Sequence, residues 1–205
     1  MNNLPTTIPI FPLSGVIYFP KTNLPLNIFE QRYLDLVNDA YNNKKYMGMI
    51  QAKKNINDIY NVGCLGKISD YQKSKDGRIL INLTGISRFK ISEEIKNDKL
   101  YREFMVDYSN FSVDIDNSQY KADTKNLMEK AKTFFKKNGL LLNWNEFEKL
   151  DLVQKINTLA MIAPITNEEK QKLLEAVTLN NRVEALESII SFYLYETGVN
   201  NQTIQ

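Results

Sequence analysis

Asp76-Gly77-Arg78-Ile79-Leu80-Ile81-Asn82-Leu83-Thr84-Gly85-Ile86-Ser87-Arg88-Phe89 is the stretch whose reading decides the fold. Asp-Gly is the strongest hairpin signal in the chain, since both residues accept the backbone angles of a tight two-residue turn. After it, Ile79, Ile81 and Leu83 alternate with Arg78, Asn82 and Thr84, the period of a strand with one buried face. Leu80 breaks that alternation and predicts contact on both faces. Working outward, Val62–Tyr71 supplies the strand before the turn, and Tyr46–Gln51, Phe89–Ile95 and Glu103–Tyr108 are further strand candidates. Short antiparallel strands without long helices between them favour a closed or half-closed sheet over a parallel core. A small barrel is expected.

Toward the N-terminus, Pro5, Pro9, Pro12, Pro20 and Pro25 crowd the first 25 residues. Each removes a backbone donor and restrains its predecessor, which predicts extended edges and tight corners. After Asn27, the run Phe29, Arg32, Tyr33, Leu36, Val37 and Ala40 has helical spacing, ending among the polar residues Asn42 to Lys45. One helix is thus inserted into a β-rich first half.

Near Asn110 the pattern changes. The polar stretch Ser109 to Asn117 reads as a linker between a β-rich domain at 1–110 and a helical one at 118–205. A helix is expected from about Tyr120 to Lys137, with Gly139 as its stop, and a second from Trp144 to Met161, ended by Pro164. Thr166 followed by Glu169 has capping-box spacing and opens a third. Asn180 or Asn181 is the expected cap of a fourth. The fold class is therefore α+β, a barrel with one inserted helix followed by a four-helix bundle.

Composition narrows the function. With 205 residues, 43% of them hydrophobic, a sizeable core is available. One cysteine, Cys64, permits no intrachain disulfide and fits a reducing compartment. Met1 to Ile10 shows neither a basic leader nor an apolar run, so a soluble, cytoplasmic protein without a membrane partner is expected. The formal net charge of +2 gives no field that argues for nucleic acid.

The chain contains no histidine, which removes Ser-His-Asp, Cys-His and His-containing zinc designs. Gly63-Cys64-Leu65-Gly66-Lys67 only approaches a phosphate loop and lacks the hydroxyl residue after lysine. Cys64 reads as a small buried apolar residue. Glu93-Glu94 would point to opposite faces of a strand, and Glu168-Glu169 sits where a helix start favours acidic groups. Lys121, Lys125, Lys130, Lys132, Lys136 and Lys137 crowd one helix against Asp123 and Glu129, a pattern of a solvated face. Lys44-Lys45 and Lys53-Lys54 read likewise. No catalytic residue, cofactor or metal site is expected.

The ordered blocks carry a resemblance. Ile8-Pro9-Ile10-Phe11-Pro12-Leu13, Gly15-Val16, Tyr18-Phe19-Pro20 and Leu24-Pro25-Leu26-Asn27-Ile28-Phe29-Glu30-Gln31-Arg32-Tyr33 open it. Met47-Gly48-Met49-Ile50, Val62-Gly63-Cys64-Leu65-Gly66-Lys67-Ile68, Leu83-Thr84-Gly85-Ile86-Ser87-Arg88-Phe89 and Tyr101-Arg102 follow in order. Together they resemble the bacterial-type Lon protease N-terminal, or substrate-binding, domain family, in its stand-alone form without ATPase and peptidase modules. The resemblance implies a PUA-like β pseudo-barrel followed by a helical bundle, associated with proteolysis but not itself an enzyme. It also implies binding of exposed apolar or extended peptide segments, with the protease machinery as a further partner.

On that reading the groove lies between barrel and bundle or along an open sheet edge, with Tyr18, Phe19 and Tyr33 as candidate peptide contacts. Pro12, Gly15, Pro20, Glu30, Arg32, Gly63, Gly85, Arg88 and Phe89 are structural. Ile10, Leu13, Leu26, Ile28 and Phe29 are expected to fill the core. Glu30 and Arg32, two residues apart, are not expected to face each other, and Arg88 is the expected partner of Glu30. The alternatives are an RNA-binding PUA-like module and a structural adaptor without a peptide groove.

Overall fold

The computed structural model describes residues 4–115 and 122–200, with side chains of the final helix described to residue 196. Asp116, Asn117, the expected helix start at Tyr120, and Lys121 lie outside the described residues. The chain divides into two compact units, 1–117 and 118–205.

The first unit runs β1 (Thr7–Leu13), β2 (Asn23–Ile28), α1 (Gln31–Asn42), β3 (Tyr46–Ala52), β4 (Ile59–Lys73), β5 (Ile79–Ile95) and β6 (Arg102–Asp107), then a 3-10 segment, Ser109–Asp114. Strand order is β2-β5-β4-β3-β1-β6, and β6 also pairs with β5. Five strands therefore close on themselves, while β2 hangs from one side of β5. Closure removes the edges that would otherwise expose unpaired amides. The β4–β5 hairpin turns at Asp76-Gly77, with Gly77 at φ +90° and the Ser74 amide donating to the Arg78 carbonyl at 2.8 Å.

Two expectations are corrected here. The strand candidates 78–85 and 89–95 are one strand, β5, whose first half carries β2 and whose second half carries β6. Gly85 does not break it. A Cβ there would stand 2.1 Å from the Phe19 carbonyl oxygen, so the glycine admits a close backbone crossing. Lys21 and Thr22 hydrogen-bond to Gly85 across that approach at 2.9 Å. Irregularities at Leu65/Gly66 and Ile68/Asp70 let the long hairpin coil into the ring. Not all pairings are antiparallel either. β1 and β3 are parallel, because β2 and α1 carry the chain back to the same end.

Ile8, Ile10, Ile50, Leu65, Phe89, Phe104 and Val106 form one buried cluster inside the ring. Tyr33, Leu36, Val37 and Ala40 are the buried face of α1, at the spacing the sequence predicts. Ile28 is also buried, but Phe29, expected in the core, is 67% exposed. The inward positions of β2 are Leu24, Leu26 and Ile28, so the chain leaves the strand at Phe29 with that ring outside.

The second unit comprises α2 (Lys125–Lys137), α3 (Trp144–Glu148), α4 (Leu152–Ile162), α5 (Asn167–Glu175) and α6 (Leu179–Asn200). Gly139, at φ +68°, follows the end of α2, and Thr166 and Glu169 form the capping box of α5. The single helix expected over 144–161 is divided. Asp151 and Gln154 form a second capping box that restarts the chain as α4. The cap of α6 is also displaced from Asn180 or Asn181: the Thr178 hydroxyl accepts from the Asn181 amide at 3.1 Å. Inside this unit, Leu127, Phe134, Phe135, Phe147, Ile156, Leu159, Leu173 and Leu186 are buried.

Candidate functional site

The three proposed aromatic contacts do not form a surface pocket. Tyr18 is 2% exposed, Phe19 fully buried and Tyr33 6% exposed. The segment after β1 folds inward from Ile17 to Pro20, and Tyr33 packs on Phe11 with ring centroids 4.3 Å apart. Burial pushes the Tyr18 phenol well above its ordinary pKa. These rings are core.

Arg88, 1% exposed, is paired with Asp114 rather than Glu30. Its Nε and Nη2 donate to the two Asp114 carboxylate oxygens at 2.9 and 2.8 Å, and its backbone amide donates to Oδ2 at 2.9 Å. The guanidinium also lies 4.4 Å from the Phe111 ring centroid. The 3-10 segment is thereby fastened to β5. Glu30 instead bonds Arg32 at 2.7 Å, on the surface. Glu30 is the non-helical N-cap of α1, so the rule for facing helical side chains does not govern the pair.

The remaining motif residues lie in the core or at turns. Pro12 and Pro20 are buried, and Gly15 has φ +79°. Phe89 is fully buried against Gly63, where a Cβ would meet its ring at 2.7 Å and the Met49 carbonyl at 2.5 Å. Gly63 to Lys67 lie inside β4 and form no turn. Cys64 is buried, its thiol 3.6 Å from the Leu65 carbonyl oxygen. The α2 lysines have more partners than their own helix offers, since Lys130 pairs with Glu187 at 2.7 Å and Lys132 with Glu148 at 3.7 Å.

Three depressions on the first unit bear on function. One depression of about 350 Å³ is lined by β1, the end of α1 and residues around β6, including Asp39, Lys99, Tyr101 and Glu103. The Tyr101 hydroxyl donates to Asp39 at 2.5 Å, and Lys99 bonds Glu103 at 2.9 Å. Burial, then the Asp39 bond, pushes the Tyr101 pKa up to about 12. Tyr101 and Glu103 raise that of Lys99, which keeps the amine an ammonium and a poor nucleophile. These charges satisfy one another.

The other two depressions lie along the outer face of β4 and β5. The first, about 470 Å³, is lined by Pro25, Leu26 and Asn27 of β2, Asp70 and Gln72 of β4, and Leu80, Ile81 and Asn82 of β5. Leu80 is 43% exposed there. The second, about 580 Å³, is lined by Asn43, Lys44, Lys45, Lys67, Ile68, Ser69, Thr84 and Ile86. Ser69 and Asn82 join them: the Ser69 hydroxyl donates to the Asn82 carbonyl at 3.0 Å and accepts from its Nδ2 at 3.1 Å. That leaves the serine bonded to an amide, not activated by a lysine. Along the far side of the first depression, β2 pairs among the described residues with β5 alone. Its other edge pairs with no strand among the described residues.

Neither depression was legible in the sequence, because each combines residues from distant segments. Lys44-Lys45 reads as a solvated loop until Lys67 is placed beside it. Asp114 likewise lies 26 residues from Arg88 and carries no local signal of pairing. Leu80, which breaks its strand's alternation, was the one readable sign of an apolar outer surface.

A closed barrel with an inserted helix and a hanging edge strand, next in sequence to a helical unit, defines a small α+β module. The chain belongs to the family described as the ATP-dependent protease La (LON) substrate-binding domain, matched over residues 7–191. It is 26% identical over 200 residues to a Lon protease of Flavobacterium johnsoniae, covering 92% of this chain and 24% of that protein. With a Lon protease of Malacoplasma penetrans it shares 28% identity over 195 residues, covering 87% and 24% respectively. The chain thus spans about a quarter of the length of these relatives. The crystal structure of a Lon N-terminal domain protein from Xanthomonas campestris matches with a TM-score of 0.63 at 20% identity, covering 90% of this chain and 98% of that one. The N-terminal domain of the Mycobacterium avium complex Lon protease matches with a TM-score of 0.61 at 15% identity over the same shares. Both establish the fold.

Proposed function

We infer that this chain is a non-catalytic module that binds extended polypeptide segments with exposed apolar side chains, along the β2 edge and the adjoining depression. The observation that carries this reading is the position of that edge. Main-chain hydrogen bonds to β2 would tolerate many sequences, while Leu80 and Pro25, on the outer face, would hold an apolar side chain. Phe29, just past the end of β2, adds an exposed ring. Pro25 withholds one donor, which limits indiscriminate strand pairing and makes the depression contribute to binding.

The family supports polypeptide as the ligand class. A chain without histidine, with Ser69 bonded to Asn82 and Lys99 held as a paired ammonium, supports a role without catalysis. No described helix is long and apolar enough to cross a membrane. A cytoplasmic location and contact with the protease machinery belong to the same proposal.

The test is fluorescence anisotropy with a labelled, unstructured peptide containing a central apolar run, using the whole chain. Leu80→Asp is expected to weaken binding about tenfold, the equivalent of about 1.4 kcal/mol, with an unchanged circular dichroism spectrum. Equal affinity for wild type, Leu80→Asp and Phe29→Asp would refute binding at this face.

A further inference from the structure

The two joined depressions differ sharply in charge. At the β2 end stands Asp70 beside Leu80 and Pro25. At the other end stand Lys44, Lys45 and Lys67, with no carboxylate among the lining residues. Among the described residues none of these lysines has an acidic partner within 4 Å. Two are instead held over phenol rings: the Lys45 ammonium is 4.6 Å from the Tyr41 centroid, and that of Lys67 is 5.8 Å from Tyr46. Such contacts fix an ammonium's position without neutralising it.

We propose that this surface selects its polypeptide ligands by charge, taking an apolar run at the Leu80 end and acidic residues at the Lys44/Lys45/Lys67 end. The inference rests on the peptide-binding reading and names the substrate class of that same site. Spacing follows from the strand. Leu80 to Ile86 spans six positions of β5, about 20 Å at ~3.3 Å per residue. A ligand that leaves the β2 edge and continues along the outer face of β5 therefore places its acidic residues roughly four to six positions from the apolar run. Asp70 reinforces the polarity, because an acidic group at the apolar end would meet a like charge.

The chemistry favours carboxylates over a nucleic-acid backbone. The lining cations are lysines, point charges without the planar fork that reads base edges. Tyr41 and Tyr71 stack on each other at 4.3 Å, and the Tyr71 hydroxyl donates to Asn38 at 2.9 Å. These half-buried rings are engaged with each other rather than presented as a platform for bases.

Three labelled peptides test this, sharing one apolar run and differing only in three residues placed five positions away: Glu, Ser or Lys. The Glu peptide is expected to bind wild type about tenfold more tightly than the Ser peptide, an advantage that shrinks as salt is raised. Lys44→Gln combined with Lys67→Gln should remove most of the advantage and leave the Ser peptide's affinity unchanged. Lys45, at φ +65°, is left in place so that its backbone is undisturbed. Equal binding of all three peptides to wild type would overturn charge selection while preserving the peptide-binding reading. No binding of any peptide would sink both. An oligouridylate that binds more tightly than the Glu peptide, and loses that binding in the double variant, would overturn polypeptide as the occupant.

Discussion

The barrel and the helical unit each bury one arginine, and they satisfy it by different means. In the barrel, Arg88 meets a full carboxylate, Asp114, in a two-pronged pair whose side chains are 1% and 8% exposed. In the helical unit, Arg182, 2% exposed, bonds neutral oxygens: Asn157 Oδ1 at 2.6 Å and the Leu173 and Ala176 carbonyls at 3.1 and 3.2 Å. Those carbonyls belong to the last turn and C-cap of α5, where unpaired acceptors collect and a cation is favoured. One arginine joins a strand to the segment that follows the sheet. The other closes the end of a helix.

The difference sets how each unit responds to the same substitution. Arg88→Met leaves Asp114 buried and uncompensated, so the barrel should lose about 3–5 kcal/mol, the largest effect expected from any residue discussed. Asp114→Asn should cost a similar amount, since it leaves the Arg88 guanidinium buried without a counter-charge and turns an amide donor toward its N–H groups. The chain supplies a separate native probe for each unit. Cys64, fully buried in the barrel, labels only when the barrel opens, while Trp144, the sole tryptophan, reports on the helical unit. Faster Cys64 labelling in Arg88→Met, with the urea midpoint of Trp144 fluorescence unmoved, is the expected outcome. Loss of both signals together would mean that the units unfold as one and would break the comparison.

Arg182→Met should act in the opposite unit and more weakly. It strands the neutral acceptors of Asn157, Leu173 and Ala176, for a cost of about 2 kcal/mol. The Trp144 transition should move to lower urea, and Cys64 protection should remain. A loss equal to that of Arg88→Met would show that buried neutral acceptors cost this protein as much as a buried charge.

The same contrast explains what the sequence made readable. Local signals did well: Asp76-Gly77 marks its turn, Thr166-x-x-Glu169 its cap, and the α1 apolar spacing its buried face. Asp151-x-x-Gln154 was equally readable, but the continuous apolar periodicity from Phe147 through Leu159 hid the restart. Features that depend on distant residues stayed closed. Gly85 looks like a strand end because its reason, the Phe19 carbonyl, is 66 residues away in sequence and touches only in the fold. Tyr18 and Phe19 sit among prolines that suggest an exposed corner, yet that corner folds inward against the barrel. The lysine depression needs α1, β3, β4 and β5 in place before its three cations share one surface.

The smallest effect tests what a family-motif residue is for. Glu30 and Arg32 lie in the resemblance-bearing block as Arg88 does, but their ion pair is 46% and 42% exposed. Solvent and salt screen such a pair, and it should contribute less than about 0.5 kcal/mol. Glu30→Gln should therefore leave the urea midpoints of both probes within error, where Arg88→Met moves one of them far. That null result has content, because it separates two residues from the same motif by mechanism. If Glu30→Gln alters peptide affinity while stability holds, the residue contacts ligand, and the recognition surface extends past Phe29 onto the start of α1. If it costs as much as a buried pair, the surface bond carries a load that its exposure does not account for, and burial ceases to be the quantity that distinguishes the arginines of this chain.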